Sequence, residues 1–340
     1  MTCRRCSVIG MLAAMLWLAV GALAADQVSS RWTSEWPRTD FSRHSVDLNE
    51  IFSGGPPKDG IPAILDPAFI AAYQAEGMHD DEAVMTLELP GESPRAYPLR
   101  YLIWHEIIND VIGGVPVAVT WCPLCNSGII FDRRHAGDTL SFGVSGNLRH
   151  SDMIMYDHQT ESWWQQALGM SVVGALTGAE LRQLPGWIEP WRHFRDRNPH
   201  GQVMAAPNYR RDYGRNPYVG YDTSSWPFLF GGDPPPHDID PLERVVRVAD
   251  FAVLLSDLRE AGVLHHNGVE LIWSPGLASP LDAADMAEGH DIGAVRVRDP
   301  DSGHDLPHDL MFAFAFDAFY PEGEWVLLDE GVVRDEGGPS

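Results

Sequence analysis

Val115-Pro116-Val117-Ala118-Val119-Thr120-Trp121-Cys122-Pro123-Leu124-Cys125-Asn126-Ser127-Gly128-Ile129-Ile130-Phe131-Asp132 decides how this chain is read. Val115, Val117, Val119 and Trp121 alternate as one face of a strand. That strand delivers two cysteines two residues apart, and Asn126-Ser127-Gly128 then turns the chain into a second apolar run. A thiol pair of the thioredoxin type opens an amphipathic helix, whose N-terminus lowers the thiol pKa. Here a turn and a strand follow instead. The thiol pair therefore sits between strands, and the surroundings read as mainly β.

The same pattern extends outward. Residues 26–80 form a lead-in with Gly54-Gly55-Pro56-Pro57 as a turn cluster. Strands over 84–89 and 97–99 flank Pro90-Gly91-Glu92-Ser93-Pro94, a strong hairpin signal. A helix is expected over 102–111, stopped by Gly113-Gly114. Ile103, Ile107 and Val111 would be its apolar stripe, with His105 and Asn109 on another face. Beyond the cysteines, 129–131 and 140–144 read as a hairpin around Ala136-Gly137-Asp138, and 153–156 as a further strand. Trp163-Trp164 reads as core, and 189–197 as a helix. Gly231-Gly232-Asp233-Pro234-Pro235-Pro236 is the clearest linker signal.

Past that linker the pattern recurs. Gly268 to Pro275 aligns with Pro116 to Pro123, Trp273 on Trp121 and Pro275 on Pro123; Ser274 replaces Cys122 and Leu277 replaces Cys125. Gly289 to Val297 echoes Gly137 to Val144 in the same way. The fold expected is β-rich α+β: two related, mainly β units from an internal duplication, the second degenerate. The division is a signal peptide at 1–24, a lead-in at 25–83 and a CPLC-containing domain at 84–230. A Pro-rich linker at 231–241, the degenerate unit at 242–328 and an acidic tail at 329–340 follow.

Arg4 and Arg5, an apolar stretch from Val8 to about Ala22, and Ala22-Leu23-Ala24 read as an export signal cleaved after Ala24. That stretch is too short for a comfortable membrane span. Losing its two arginines takes the formal charge from −24 to −26. So acidic a chain argues against nucleic acid and anionic membranes as partners. Lys58 is the one lysine in the sequence.

Cys3 and Cys6 lie in the leader, so Cys122 and Cys125 are the thiols of the mature chain. Outside the cytoplasm such a pair is a disulfide, a redox couple or a set of soft metal ligands. As ligands they need partners, and His105, His150, Met153, Met155 and His158 are the nearby candidates. Thiolate with thioether favours Cu(I), and thiolate with imidazole also takes zinc. As a redox couple, Cys122 would attack and Cys125 resolve. As a staple, a bridge over so small a loop contributes little. Asp152, Asp157 and Glu161 are carboxylates of the hydrolytic type, but no Gly-x-Ser-x-Gly pattern accompanies them.

These motifs resemble the uncharacterised prokaryotic family catalogued as domain of unknown function 3179. The resemblance is carried by Ala96-Tyr97-Pro98-Leu99-Arg100, Trp104-His105-Glu106 with Asn109-Asp110, and Gly113-Gly114-Val115-Pro116-Val117. It continues through Cys122-Pro123-Leu124-Cys125, Phe131-Asp132-Arg133, Phe142-Gly143-Val144-Ser145-Gly146, Met155-Tyr156-Asp157 and Thr160. It implies no particular reaction, but it places His105, Glu106, Cys122, Cys125, Met155 and Asp157 at motif positions. His150 and Met153 depart from the pattern, which leaves Cys122, Cys125, His105 and Met155 as the expected ligands. The function expected is an exported copper-binding or, second, zinc-binding carrier or accessory protein, with a metalloprotein or redox partner. A periplasmic thiol–disulfide oxidoreductase and a scaffold with a structural disulfide are the alternatives.

Overall fold

β-branched and aromatic residues in short runs, punctuated by Gly and Pro, put most of the chain into strands. The structure, a computed structural model, describes residues 29–329 and 332–333. The expected leader lies outside the described residues, as does most of the acidic tail.

In chain order the first part runs α1 (Ser30–Glu35), β1 (Ile51–Ser53), β2 (Phe69–Ala71), β3 (Ala83–Leu87), β4 (Arg95–Pro98), α2 (Leu99–His105), β5 (Ile107–Ile112), β6 (Val115–Cys122) and β7 (Ser127–Asp132). It continues with β8 (Arg134–His135), β9 (Asp138–Thr139), β10 (Phe142–Arg149), β11 (Asp152–Asp157), β12 (Trp163–Gln165), β13 (Met170–Val173), β14 (Arg182–Gln183), β15 (Gly186–Pro190), α3 (Trp191–Arg197) and β16 (Gln202–Met204). A long segment without strands leads to β17 (Arg244–Val248), β18 (Phe251–Leu254), α4 (Leu255–Ala261), β19 (Val263–His266), β20 (Val269–Ser274), β21 (Ala294–Arg298), β22 (Asp309–Phe312), α5 (Ala313–Phe319) and β23 (Glu324–Val326).

Five sheets form a five-bladed, propeller-like ring. Their orders are β1-β10-β11-β12-β13, β14-β7-β6-β5, β15-β3-β4-β16-β2, β22-β17-β18-β23 and β19-β20-β21. Two of these sheets are built alike. β15 pairs antiparallel with β3, β3 with β4, and β16 joins β4 in parallel; β22, β17, β18 and β23 repeat those directions. Single backbone bonds recur as well. Trp121 N donates to Glu106 O at 2.9 Å and Trp273 N to Gly262 O at 2.8 Å. Trp191 N reaches Glu82 O, and Ala313 N reaches Glu243 O, both at 2.8 Å. β22 packs against β7, and β15 against β21.

The helix expected over 102–111 is a shorter helix and a strand. α2 ends at His105, Glu106 takes a left-handed conformation (φ 57°), and β5 begins at Ile107. Ile107, Ile108, Val111 and Ile112 are β-branched, and pairing with β6 outweighs their helical spacing. Val111, placed on the stripe, is 51% exposed. The 84–89/97–99 hairpin forms as expected, and Trp163 and Trp164 are fully buried. The expected hairpin of 129–131 with 140–144 does not form, because β10 pairs with β11 and β1 while β7 pairs with β6. The echo between 137–144 and 289–297 fails for the same reason: β21 pairs with β20 as β7 does with β6. Helix α3 starts at Trp191 rather than at 189, since Glu189 and Pro190 belong to β15.

The lead-in straps the blade that contains β10 to β13. Trp36, Phe41, Leu48 and Ile51 share an apolar cluster with Ile154, Tyr156 and Trp163. Lys58 Nζ bonds Glu161 Oε1 at 2.7 Å and stands 4.3 Å over the Trp36 ring and 4.8 Å over that of Tyr156. No helix among the described residues is long and apolar enough to cross a membrane.

Candidate metal centre

Strand β6 ends in Cys122, and β7 starts at Ser127 directly opposite it in register. Pro123 to Asn126 make the hairpin loop between them. It closes with Asn126 N on Pro123 O at 3.2 Å and with Asn126 at φ 51°, which an asparagine tolerates better than most residues. The loop is held from outside at two carbonyls. Phe312 N donates to Cys125 O at 2.9 Å, and the Tyr221 hydroxyl to Leu124 O at 2.8 Å.

A second turn brings the third donor. His150 and Ser151 both have positive φ (49° and 63°), so the chain reverses tightly from β10 into β11 and presents Asp152 to the thiols. One ligand atom from each of Cys122, Cys125 and Asp152 lies within 4.8 Å of the others. Both cysteines are free thiols. Exposure is 1% for Cys122 and 0% for Cys125 and Asp152. Asp152 Oδ2 accepts from Gln165 Nε2 at 2.6 Å and from Ala167 N at 3.0 Å, while buried Oδ1 has no hydrogen-bond partner.

Glu106 completes the surroundings. It caps α2 in a left-handed conformation (φ 57°), and Gly262 caps α4 the same way (φ 72°). A residue with a Cβ is strained there by about 1 kcal/mol. Its carboxyl is pushed up to about 8, first by burial and then by the Asp152 charge. Burial likewise pushes Asp152 up to about 6, against the bonds from Ala167 and Gln165 and the contact of the Cys122 thiol. Burial raises the Cys122 thiol and raises Cys125 still further, Cys125 also through its contact with Cys122. Four acidic groups thus share an apolar site in which each resists losing its proton. The Tyr218 hydroxyl is raised by burial and then by the charges of Glu106 and Cys122.

The other expected ligands stand elsewhere. His105 Nδ1 lies 2.7 Å from Pro62 O, so it carries the proton, and Nε2 accepts from the Tyr213 hydroxyl at 2.7 Å. Neither nitrogen has a lone pair to spare, and His105 is not brought to the thiols. Met155 is buried in register between Val144 and Trp164, a packing position. Asp157 caps a turn, accepting from Thr160 N at 2.6 Å, Thr160 Oγ1 at 2.9 Å and Trp164 Nε1 at 3.0 Å. His158 Nδ1 bonds Ser141 Oγ at 2.9 Å. Sequence reasoning weighed Asp152 as a hydrolytic carboxylate and missed it as the thiols' neighbour. Glu106 stood in the sequence only as a motif position, and its parallel with Gly262 shows only in the backbone bonds.

A family model described as "Protein of unknown function (DUF3179)" matches residues 58–323, the span that holds both turns and Glu106. The chain belongs to that family. No curated protein and no solved structure matches it. Within this DUF3179 chain, Cys122, Cys125 and Asp152 meet at one point, and Glu106 is near enough to feel the Asp152 charge.

Proposed function

We propose that this protein holds a metal ion, Zn2+ ahead of Cu(I), on Cys122, Cys125 and Asp152, with Glu106 as the neighbouring oxygen donor. The observation that carries the reading is the convergence of two free thiols and a carboxylate oxygen that lacks a hydrogen-bond partner, all buried. A carboxylate in place of the expected imidazole and thioether makes the set borderline rather than soft. Zinc takes sulfur and oxygen donors together, whereas Cu(I) prefers an all-soft set. A cation also relieves the electrostatics, since it displaces protons that burial otherwise forces the site to keep. So enclosed a centre suits retention of metal over turnover. The leader-like first 24 residues support a place outside the cytoplasm.

Thiol–disulfide exchange ranks second, because the two thiols touch. Against it stand the raised thiols and the absence of a helix N-terminus at the pair. We further read the β3–β16 and β17–β23 portions as copies from one duplication, supported by their matching strand directions and recurring backbone bonds.

Anaerobic titration of the reduced protein with Zn2+ against a competing chelator tests the metal reading. We expect the tightest-bound equivalent to weaken about 100-fold or more in Cys122→Ser and Asp152→Asn and to stay unchanged in His105→Gln. Equal affinity in wild type and Cys122→Ser sinks it. No metal bound, with reversible formation of a 122–125 disulfide, moves the reading to thiol exchange.

A further inference from the structure

A second group of donors lies away from the thiols, and it does not depend on the thiol reading. Asp222, Asp282 and His290 each offer a ligand atom within 4.8 Å of the others. Asp222 comes from the long segment before β17, and Asp282 and His290 from the loop that joins β20 to β21. The corresponding β6–β7 loop in the first half is the one that carries the cysteines.

Asp222 is set up as a metal carboxylate is. Its side chain is 0% exposed, and Oδ2 is held by Arg244 Nη2 at 2.7 Å and by the Ser279 hydroxyl. Oδ1 is buried and has no partner. One oxygen is oriented by the protein and the other is left for something else. A buried carboxylate oxygen without a donor is costly, and a cation at Oδ1 would satisfy it. His290 Nδ1 stands 3.0 Å from Asp282 Oδ2, which also accepts His290 N at 2.8 Å. That contact is a hydrogen bond in this structure, and a cation bound by the pair would displace its proton. Asp222, Arg244 and His290 also line a cleft of about 650 Å³, so solvent or a small ligand reaches the group. Arg244 offsets one of the two carboxylate charges, which leaves one net negative charge for a cation.

We propose that Asp222, Asp282 and His290 bind a divalent first-row cation, manganese or zinc, with its remaining positions open to the cleft. Two carboxylates and an imidazole make a harder set than the thiol centre, and Mn2+ discriminates between the two because it avoids thiolate.

The experiment is Mn2+ titration of the full chain followed by electron paramagnetic resonance, in the wild type and in a Cys122→Ser/Cys125→Ser background. One equivalent bound in both is expected, falling about tenfold or more in Asp282→Asn and in His290→Ala. Those two side chains are 30% and 48% exposed, so their replacement leaves the fold intact, which thermal melting checks. Asp222→Asn is the buried third variant. The proposal is overturned if the double-serine chain binds neither Mn2+ nor Zn2+, or if binding survives unchanged in Asp282→Asn and His290→Ala.

Discussion

Glu106 shows how one position joins backbone strain to chemistry. The left-handed cap of α2 suits glycine, which α4 has at Gly262, yet here it holds a buried carboxyl. Replacement by glycine relieves the backbone and removes a buried acid, so Glu106→Gly is expected to raise the stability of the metal-free protein by about 1 kcal/mol or more. If Glu106 serves the metal, the same variant binds Zn2+ more weakly; paired melting and chelator-competition curves measure both. The pH dependence follows from the same group. Below its usual 4.5 the carboxyl keeps its proton folded and unfolded, and its effect on stability vanishes. Between there and about 8 the unfolded chain ionises first, so metal-free stability falls as pH rises, levelling off above about 8. Asp152, raised to about 6, adds to the lower part of that fall. Melting temperatures from pH 5 to 9 check this, and Glu106→Gln is expected to flatten the upper part. Cys122 and Cys125 were legible in the sequence because CxxC carries its own spacing. Asp152 was not, since its approach depends on a turn 26 residues further on, at His150 and Ser151. The surroundings of His105 were hidden for the matching reason: its partners Pro62 and Tyr213 are 43 and 108 residues away.

Among elements, β5 is where sequence and structure part. Ile103, Ile107 and Val111 keep helical spacing, but the left-handed Glu106 ends the helix and β6 supplies a partner strand. Pairing is a tertiary fact that periodicity over ten residues does not contain. Asn109, assigned to a helix face by that spacing, instead ties two blades together. Its Nδ2 donates to Phe142 O at 2.9 Å and its Oδ1 accepts Phe142 N at 2.8 Å, all buried. Asn109→Ala strands both backbone groups and is expected to cost about 2–4 kcal/mol, read as a lower urea midpoint with zinc stoichiometry unchanged. The β3–β4 hairpin was legible because Pro90 to Pro94 states its turn locally.

At the scale of the molecule, each half of the chain is clasped by the other. β22 lies on β7, and Asp309 accepts Ser127 Oγ at 2.7 Å and Gly128 N at 2.9 Å, just beyond the cysteine loop. Asp309→Ala is therefore expected to loosen that loop: alkylation of Cys122 and Cys125 by a maleimide at pH 7, slow in the wild type, accelerates about tenfold or more. Unchanged rates in a folded variant contradict the clasp. The β-rich class was open to sequence reading, since turns and alternation are local. The ring was not, because β15, β16, β22 and β23 return to blades begun 65 to 133 residues earlier. Lys58 carries a practical corollary. A sequence with one lysine offers amine-reactive dyes and cross-linkers a single side-chain target, and this one is pinned under Trp36 and Tyr156 by Glu161. Mass increments at that residue over time would clock the lifting of the lead-in from its blade, with no engineered label and no spectroscopic probe.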